Sequence, residues 1–360
     1  MLSYLHGCNY PWSADGDTAY YGLDFGANVW GSHLGVSTRR AAVTRDFAEM
    51  AALGFTCTRW FLFCDGRAGI VYDDRGLPIG PDPHLFADVD AALETARDVG
   101  MRIDFVLLDH RWMFAGVRHT IADPATGVLL EARLPEGRSR VLLSAAGRDG
   151  LFERVIEPLV RRYGRAGERA DLAPAILAYE FMNEPDFVIE EWERDLSPRV
   201  SRPLPFEALA TLVSRLSDLV HAEHTDVLTT IGCARVHNLW AWDDDAMGLD
   251  VLQVHSYPDA RSSGSGAARV LPPSPRLRRT AEAPAEAGSD PPDITLGAHL
   301  DFALNAGYAG AWPWSFSGTD AYGRLPAEPL RRFATAHPEL VNPRARSPQD
   351  TLHLHVPPRH

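Results

Sequence analysis

The chain has 360 residues, 45% of them apolar, and a formal net charge of −13 from 48 acidic and 35 basic side chains. This length and apolar share give a soluble globular protein with a sizeable core, and the acidic balance disfavours nucleic acid and other polyanionic partners. Cys8, Cys57, Cys64 and Cys233 are too scattered for a disulfide framework or a zinc site, so reduced thiols are expected. With no secretory leader and no apolar run near ~18 residues, the expectation is a cytoplasmic protein with no membrane partner.

In chain order, an apolar segment at Tyr4 to Asn9 reads as a strand running into an aromatic-rich loop. A helical pattern from about Thr38 stops at Gly54, and Phe55 to Phe63 reads as a second strand. Pro83 opens a helix whose apolar positions Leu85, Val89, Leu93 and Ala96 keep the 3, 4 spacing until Gly100, and strand three follows at Met101 to Asp109. The excursion from His110 to Asp149 is long for a connection and reads as a binding loop, with a small hairpin at Val128 to Val141. Helix returns at Leu151 to Tyr163, where Pro158 predicts a kink.

Strand four begins at Ile176 and delivers Asn183, Glu184 and Pro185 as it stops. Beyond it come a helix at Phe206 to Val220, strand five at Val227 to Ile231, a weak helix within Val236 to Met247, and strand six at Asp250 to Tyr257. After a Ser-, Gly- and Pro-rich loop at 261–275, strand seven falls at Arg276 to Glu282, although its arginines suit a barrel strand poorly. A helix at Ile294 to Asn305, strand eight at Tyr308 to Trp314 and a helix near Glu328 to Ala336 complete the pattern. About eight β-then-α units predict an α/β fold, a single (β/α)8 TIM barrel over 1–338 followed by a loosely ordered tail over 339–360. No GxGxxG follows the first strand, so a dinucleotide cofactor is not expected.

In such a barrel, polar residues at strand C-termini converge on one face. Here they are Asn9, Arg59, Asp109, His110, Asn183, Glu184, His255, Tyr257, Glu282 and Trp314, a set of acids, donors and aromatic platforms without ligand-spaced histidines. Two carboxylates without a metal point to acid–base and nucleophilic chemistry, of which glycoside hydrolysis is the commonest barrel example. His255 and Tyr257 alternate onto one strand face, and Trp12, Trp312 and Trp314 offer faces on which a sugar ring can lie.

Phe-Met-Asn-Glu-Pro at strand four, with Arg59, His110, His255-Ser-Tyr257 and Trp314 in strand order, resembles the retaining clan A glycoside hydrolases, nearest to glycoside hydrolase family 5, the cellulase and mannanase family. The resemblance spans roughly Tyr4 to Ala336. It implies a carbohydrate substrate, no metal and no cofactor, with Glu184 as general acid/base and Asn183 on the sugar 2-hydroxyl. It also implies Arg59 beside the nucleophile, His110, His255 and Tyr257 as positioning or substrate-binding residues, and Trp314 under the cleaved bond. For the double displacement this implies, Glu184 starts protonated and its partner ionised.

The nucleophile falls at Glu282 when Arg-Leu-Arg-Arg-Thr-Ala-Glu-Ala-Pro is aligned with the family's strand-seven pattern, with Glu286 as the competitor. This stretch departs from that pattern, and an Ala-rich linker at Ala281 to Ala287 is the other reading. Two further functions stay open: an inactive carbohydrate-binding barrel lacking a working nucleophile, and a metal-dependent barrel hydrolase using Asp109, His110 and His255.

Overall fold

The computed structural model describes residues 4–16, 18–28, 30–114, 117–122, 129–134, 138–255, 279–284, 295–319 and 323–346. Its central sheet is built from β1 (Leu5–Asn9), β2 (Cys57–Phe61), β3 (Arg102–Asp109), β4 (Ile176–Asn183), β5 (Leu228–Cys233), β6 (Val251–His255), β7 (Arg279–Pro284) and β8 (Gly310–Trp314). Each pairs in parallel with its sequence neighbours, and β8 pairs back onto β1, so the hydrogen-bonded order closes into a barrel. Closure buries every residue of β1, β2 and β4, which is why β4 reads as a largely apolar run rather than an alternating one.

Helices cover the outside: α1 (Arg40–Ala52), α2 (Leu85–Val99), α3 (Ala145–Leu151), α4 (Glu157–Tyr163), α5 (Phe206–Glu223), α6 (Leu296–Asn305) and α7 (Ala327–Ala336). α2 ends where Gly100 takes a left-handed conformation, φ 73°, as expected for a glycine just past a helix. The kink expected at Pro158 takes the form of a π-helical turn, Phe152–Ile156, joining α3 to α4. Proline has no N–H to bond four residues back, and the turn widens just before it.

Three expectations change. The weak helix between β5 and β6 is only two 3₁₀ turns, Val236–Ala241 and Asp245–Met247. The small hairpin pairs Val117–Ala122 with Leu129–Leu134, earlier than expected, because 139–143 turns helical. The chain beyond Pro338 stays packed at first: Val341 and Asn342 are buried, and Pro343–Arg346 forms a 3₁₀ turn. The Asn342 amide donates to the carbonyls of Phe55, Val99 and Gly100 at 3.1, 3.3 and 3.3 Å. One side chain thus satisfies carbonyls at the end of α2 and the start of β2, with no periodicity to reveal it.

The barrel interior is polar near its C-terminal end. Gln253 on β6 donates to Asp104 on β3 at 2.9 Å across the lumen, and Arg59 on β2 reaches past β3 to Glu180 on β4. Deeper, the lumen is apolar, packing Leu5, Cys57, Leu177, Ala178 and Trp312 together. Gly7 is required there: a Cβ would come within 2.5 Å of the Trp312 ring.

Among the described residues, no helix is long and apolar enough to cross a membrane. All four cysteines are free and buried.

Candidate active site

β4 ends at Asn183, and Glu184 turns the chain with φ 52° and ψ 53°. A left-handed conformation is uncommon outside glycine. It is held here by the Glu184 N–H donating to the Gly232 carbonyl at 2.7 Å and by the 3₁₀ turn Pro185–Phe187 that follows. Asp186, fully buried in that turn, accepts from the Ala234 N–H and the Asn238 amide, both at 2.7 Å. The loops after β4 and β5 are thereby tied together beside Glu184.

Arg59 is completely buried and organises the floor. Its Nε and Nη2 donate to the two carboxylate oxygens of Glu180, each at 2.7 Å, a bidentate pair with both side chains unexposed. Nη1 donates to Asn9 Oδ1 at 3.1 Å, and Nη2 also to Asn183 Oδ1 at 2.8 Å. The Asn183 amide in turn donates to Asp109 Oδ2 at 2.7 Å. With its oxygen on Arg59 and one N–H on Asp109, the amide is fixed in orientation and keeps a second N–H.

Glu184 carries the exposed end of this network, at 18% side-chain exposure. His255 Nδ1 donates to its Oε1 at 3.0 Å, and His110 Nδ1 stands 3.7 Å from its Oε2 and 3.6 Å from Asp109 Oδ2. Burial alone raises the Glu184 pKa. The His255 hydrogen bond, followed by the charges of His255, His110 and Arg59, outweighs it and brings the carboxyl down to about 2. These neighbours therefore hold Glu184 ionised, the reverse of the protonated starting state that the sequence implied. A second carboxylate facing it would push in the other direction.

Glu282 occupies β7, in register with His255 on β6 and Trp312 on β8, level with the histidine that touches Glu184. Pro284 is in register with Trp314. Tyr257 and Glu286 lie outside the described residues. Trp314 ends β8, precedes a cis peptide bond to Ser315, and packs edge-on to Trp12 and Phe61 at 5.9 and 6.5 Å between ring centres. Trp12 is anchored by donating to Thr319 Oγ1 at 2.8 Å and continues the aromatic surface to Tyr21, 4.8 Å away.

Described side chains from β1 to β4, β6 and β8 thus reach one face, as expected for Asn9, Arg59, Asp109, His110, Asn183, Glu184, His255 and Trp314. Sequence reasoning missed Glu180. Its signal was present, a lone carboxylate inside an apolar strand and an even number of residues before Glu184. Gly232 was also missed, although a Cβ there would meet Glu180 Oε1 at 2.6 Å and His255 Nε2 at 2.7 Å. For the metal-dependent alternative, no group of three or more His, Cys, Asp or Glu among the described residues is arranged to hold a metal ion. Asp109 and His255 instead bond Asn183 and Glu184.

The whole chain is similar in structure to an endo-1,4-β-mannanase from Eisenia fetida, with 18% identity, a TM-score of 0.64, and coverage of 97% of this chain and 92% of that one. It is also similar to a β-1,4-D-mannanase from Cryptopygus antarcticus, with 14% identity, TM-score 0.66, and 91% and 88% coverage. The β-mannanase of the blue mussel Mytilus edulis gives 16% identity, TM-score 0.63, and 90% and 94% coverage. No family model matches the sequence, and no curated protein does. The likeness establishes the fold, a parallel barrel shared with these mannanases.

Proposed function

We propose that this protein is a retaining glycoside hydrolase that cleaves β-linked sugars of the glucoside or mannoside type on a complete (β/α)8 barrel. The observation that carries the reading is the placement of Glu184. It is a strand-end carboxylate shared between His255 and His110, beside an Asn183 amide locked by Arg59 and Asp109, in a fold shared with β-mannanases.

Glu184 is the acid/base in this scheme. Substrate binding expels water and brings the glycosidic oxygen against its exposed oxygen, while the carboxylate on β7 raises its pKa toward the value an acid requires. Asn183 offers its spare N–H to the sugar 2-hydroxyl, and Trp314 supports the ring. Glu282 is the nucleophile, supported by its register with His255. It attacks the anomeric carbon as the leaving oxygen takes the Glu184 proton. The ionised Glu184 then removes a proton from the water that releases the sugar. Retention requires the two carboxyl groups to stand ~5–5.5 Å apart.

The test is a panel of aryl β-glycosides with the wild-type chain, Glu282→Ala and Glu286→Ala. Turnover that survives EDTA, loss of it in Glu282→Ala, and azide rescue giving a product of inverted configuration in that variant alone are expected. Rescue confined to Glu286→Ala moves the nucleophile. Absence of turnover across the panel favours the carbohydrate-binding alternative, and EDTA-sensitive turnover favours the metal-dependent one.

A further inference from the structure

Outboard of Glu184, the 3₁₀ turn Val236–Ala241 presents Trp240 to solvent at 71% exposure, the highest among the large apolar side chains described. A single exposed tryptophan is unremarkable by itself. This one borders a cleft of about 730 Å³ whose aromatic base is rigid. Trp192 packs on Phe206 and Trp242 at 5.7 and 6.1 Å, and Phe206 packs on Trp242 at 4.9 Å. The turn is held from both sides: Asp186 grips Ala234 and Asn238, and Asp195 takes His237 Nε2 at 2.9 Å and the Asn238 amide at 3.1 Å. Trp240 is therefore displayed by a fixed segment rather than by a loose loop.

The chemistry of the walls is one-sided. Glu191, Glu207, Asp243, Asp244 and Asp245 line the cleft, and among the described residues no basic side chain does. An aromatic face ringed by carboxylates attracts a cation, through the ring quadrupole and by direct charge pairing. A second observation adds a requirement for an acceptor. Trp242 is fully buried and its indole N–H has no partner among the described residues, while the residue also lines an adjoining cleft of about 260 Å³ together with Asp243, Asp244 and Asp245. A buried donor of this kind calls for an acceptor from outside the protein, a water or a ligand oxygen.

We propose that this cleft is a second ligand site, separate from the Glu184 centre, that binds a sugar chain through a ring bearing a protonated amine. The ring face lies on Trp240, the ammonium sits among the carboxylates, and a hydroxyl accepts from Trp242. The choice of a sugar as the carrier of the amine rests on the proposed function; the demand for a cation with a neighbouring acceptor rests on the cleft itself. Because Asp186 joins this segment to the Glu184 turn, a chain docked here lies on the same face of the barrel as the site that would cut it.

The experiment is calorimetric titration of the full chain with a β-1,4-linked glucosamine tetrasaccharide. The N-acetylated tetrasaccharide, a neutral β-1,4-mannotetraose and tetralysine serve as comparisons. Saturable binding of the glucosamine chain is expected, roughly tenfold weaker in Trp240→Ala, weaker again in Asp243→Asn/Asp244→Asn, and suppressed by salt near 0.5 M, where the Debye length is only about 4 Å. Four results overturn the proposal: no saturable binding, binding indifferent to Trp240→Ala, equal binding of the N-acetylated chain, or equal binding of tetralysine. Turnover of a short aryl β-glycoside should match between Trp240→Ala and wild type. Trp240-dependent binding without any turnover refutes the hydrolase reading and leaves this one standing, and turnover without binding does the reverse.

Discussion

Arg59 and Glu180 meet through two parallel hydrogen bonds of 2.7 Å, and neither side chain has any exposed surface. Breaking such a pair by removing one partner leaves an uncompensated charge in the barrel lumen, which costs about 3–5 kcal/mol. Glu180→Ala should therefore lower the thermal midpoint sharply, whereas Glu180→Gln, which keeps an acceptor oxygen for the guanidinium, should lose less. The same measurement on Arg59→Met/Glu180→Leu should show a smaller loss than Glu180→Ala. Equal destabilisation in all three variants would mean that packing, not charge, dominates at this position.

Glu184→Gln tests the acid/base role through the leaving group. Turnover of substrates with poor leaving groups should fall by ~100-fold or more, the usual range for a general acid, and activated aryl glycosides should be spared in the first step. Steady-state kinetics on a series of phenols of graded acidity reads this as a steeper dependence on leaving-group pKa. An unchanged slope with the fold intact counts against the role.

Asp46 supplies a pH signature away from the site. It accepts from the Tyr10 hydroxyl at 2.6 Å, and burial, only partly offset by that hydrogen bond, pushes its pKa up to about 6. The folded state therefore holds a proton that the unfolded chain has already released above about pH 4. Stability from this group is full below pH 4 and is lost as pH rises through 6, a change on the order of 2 kcal/mol after discounting its partial exposure. Asp46→Asn should consequently gain thermal stability over wild type at pH 7 and show no gain at pH 4. A gain that is flat with pH would separate the effect from titration.

Asp186 is a structural tether whose loss should register in two ways. Asp186→Ala leaves the Ala234 N–H and one Asn238 donor without their acceptor, a cost of roughly 1–3 kcal/mol for each group left buried. Hydrogen exchange should show faster opening of 234–242 than of the β4 strand. If the loop's protection is unchanged, Asp195 is the dominant anchor.

The barrel and the placement of most candidate site residues were legible because buried strands such as β4 appear as largely apolar runs, and the residues at their C-terminal ends gather on one face. Asn183, Glu184, His255 and Trp314 are all read this way. Glu180 escaped because it sits inside such a run, where a carboxylate is tolerated only by virtue of a partner 121 positions earlier in the chain. The packing of Val341 and Asn342 escaped for a related reason: three backbone carbonyls, not an apolar stripe, hold Asn342 in place. The ionised state of Glu184 depends on the distances to His255 and His110, which spacing along a chain does not encode.

Gly232 accepts the Glu184 N–H through its carbonyl and leaves, by having no Cβ, the space in which Glu180 and His255 approach. Glu180, Glu184 and His255 therefore owe their spacing to a residue that has no side chain. As sequences related to this one drift apart, an Ala at this position would force Glu180 or His255 to shift while every side chain of the network was retained. Surveys that tally only acids, bases and aromatics would score such a descendant as intact, and the mutation would be silent to them.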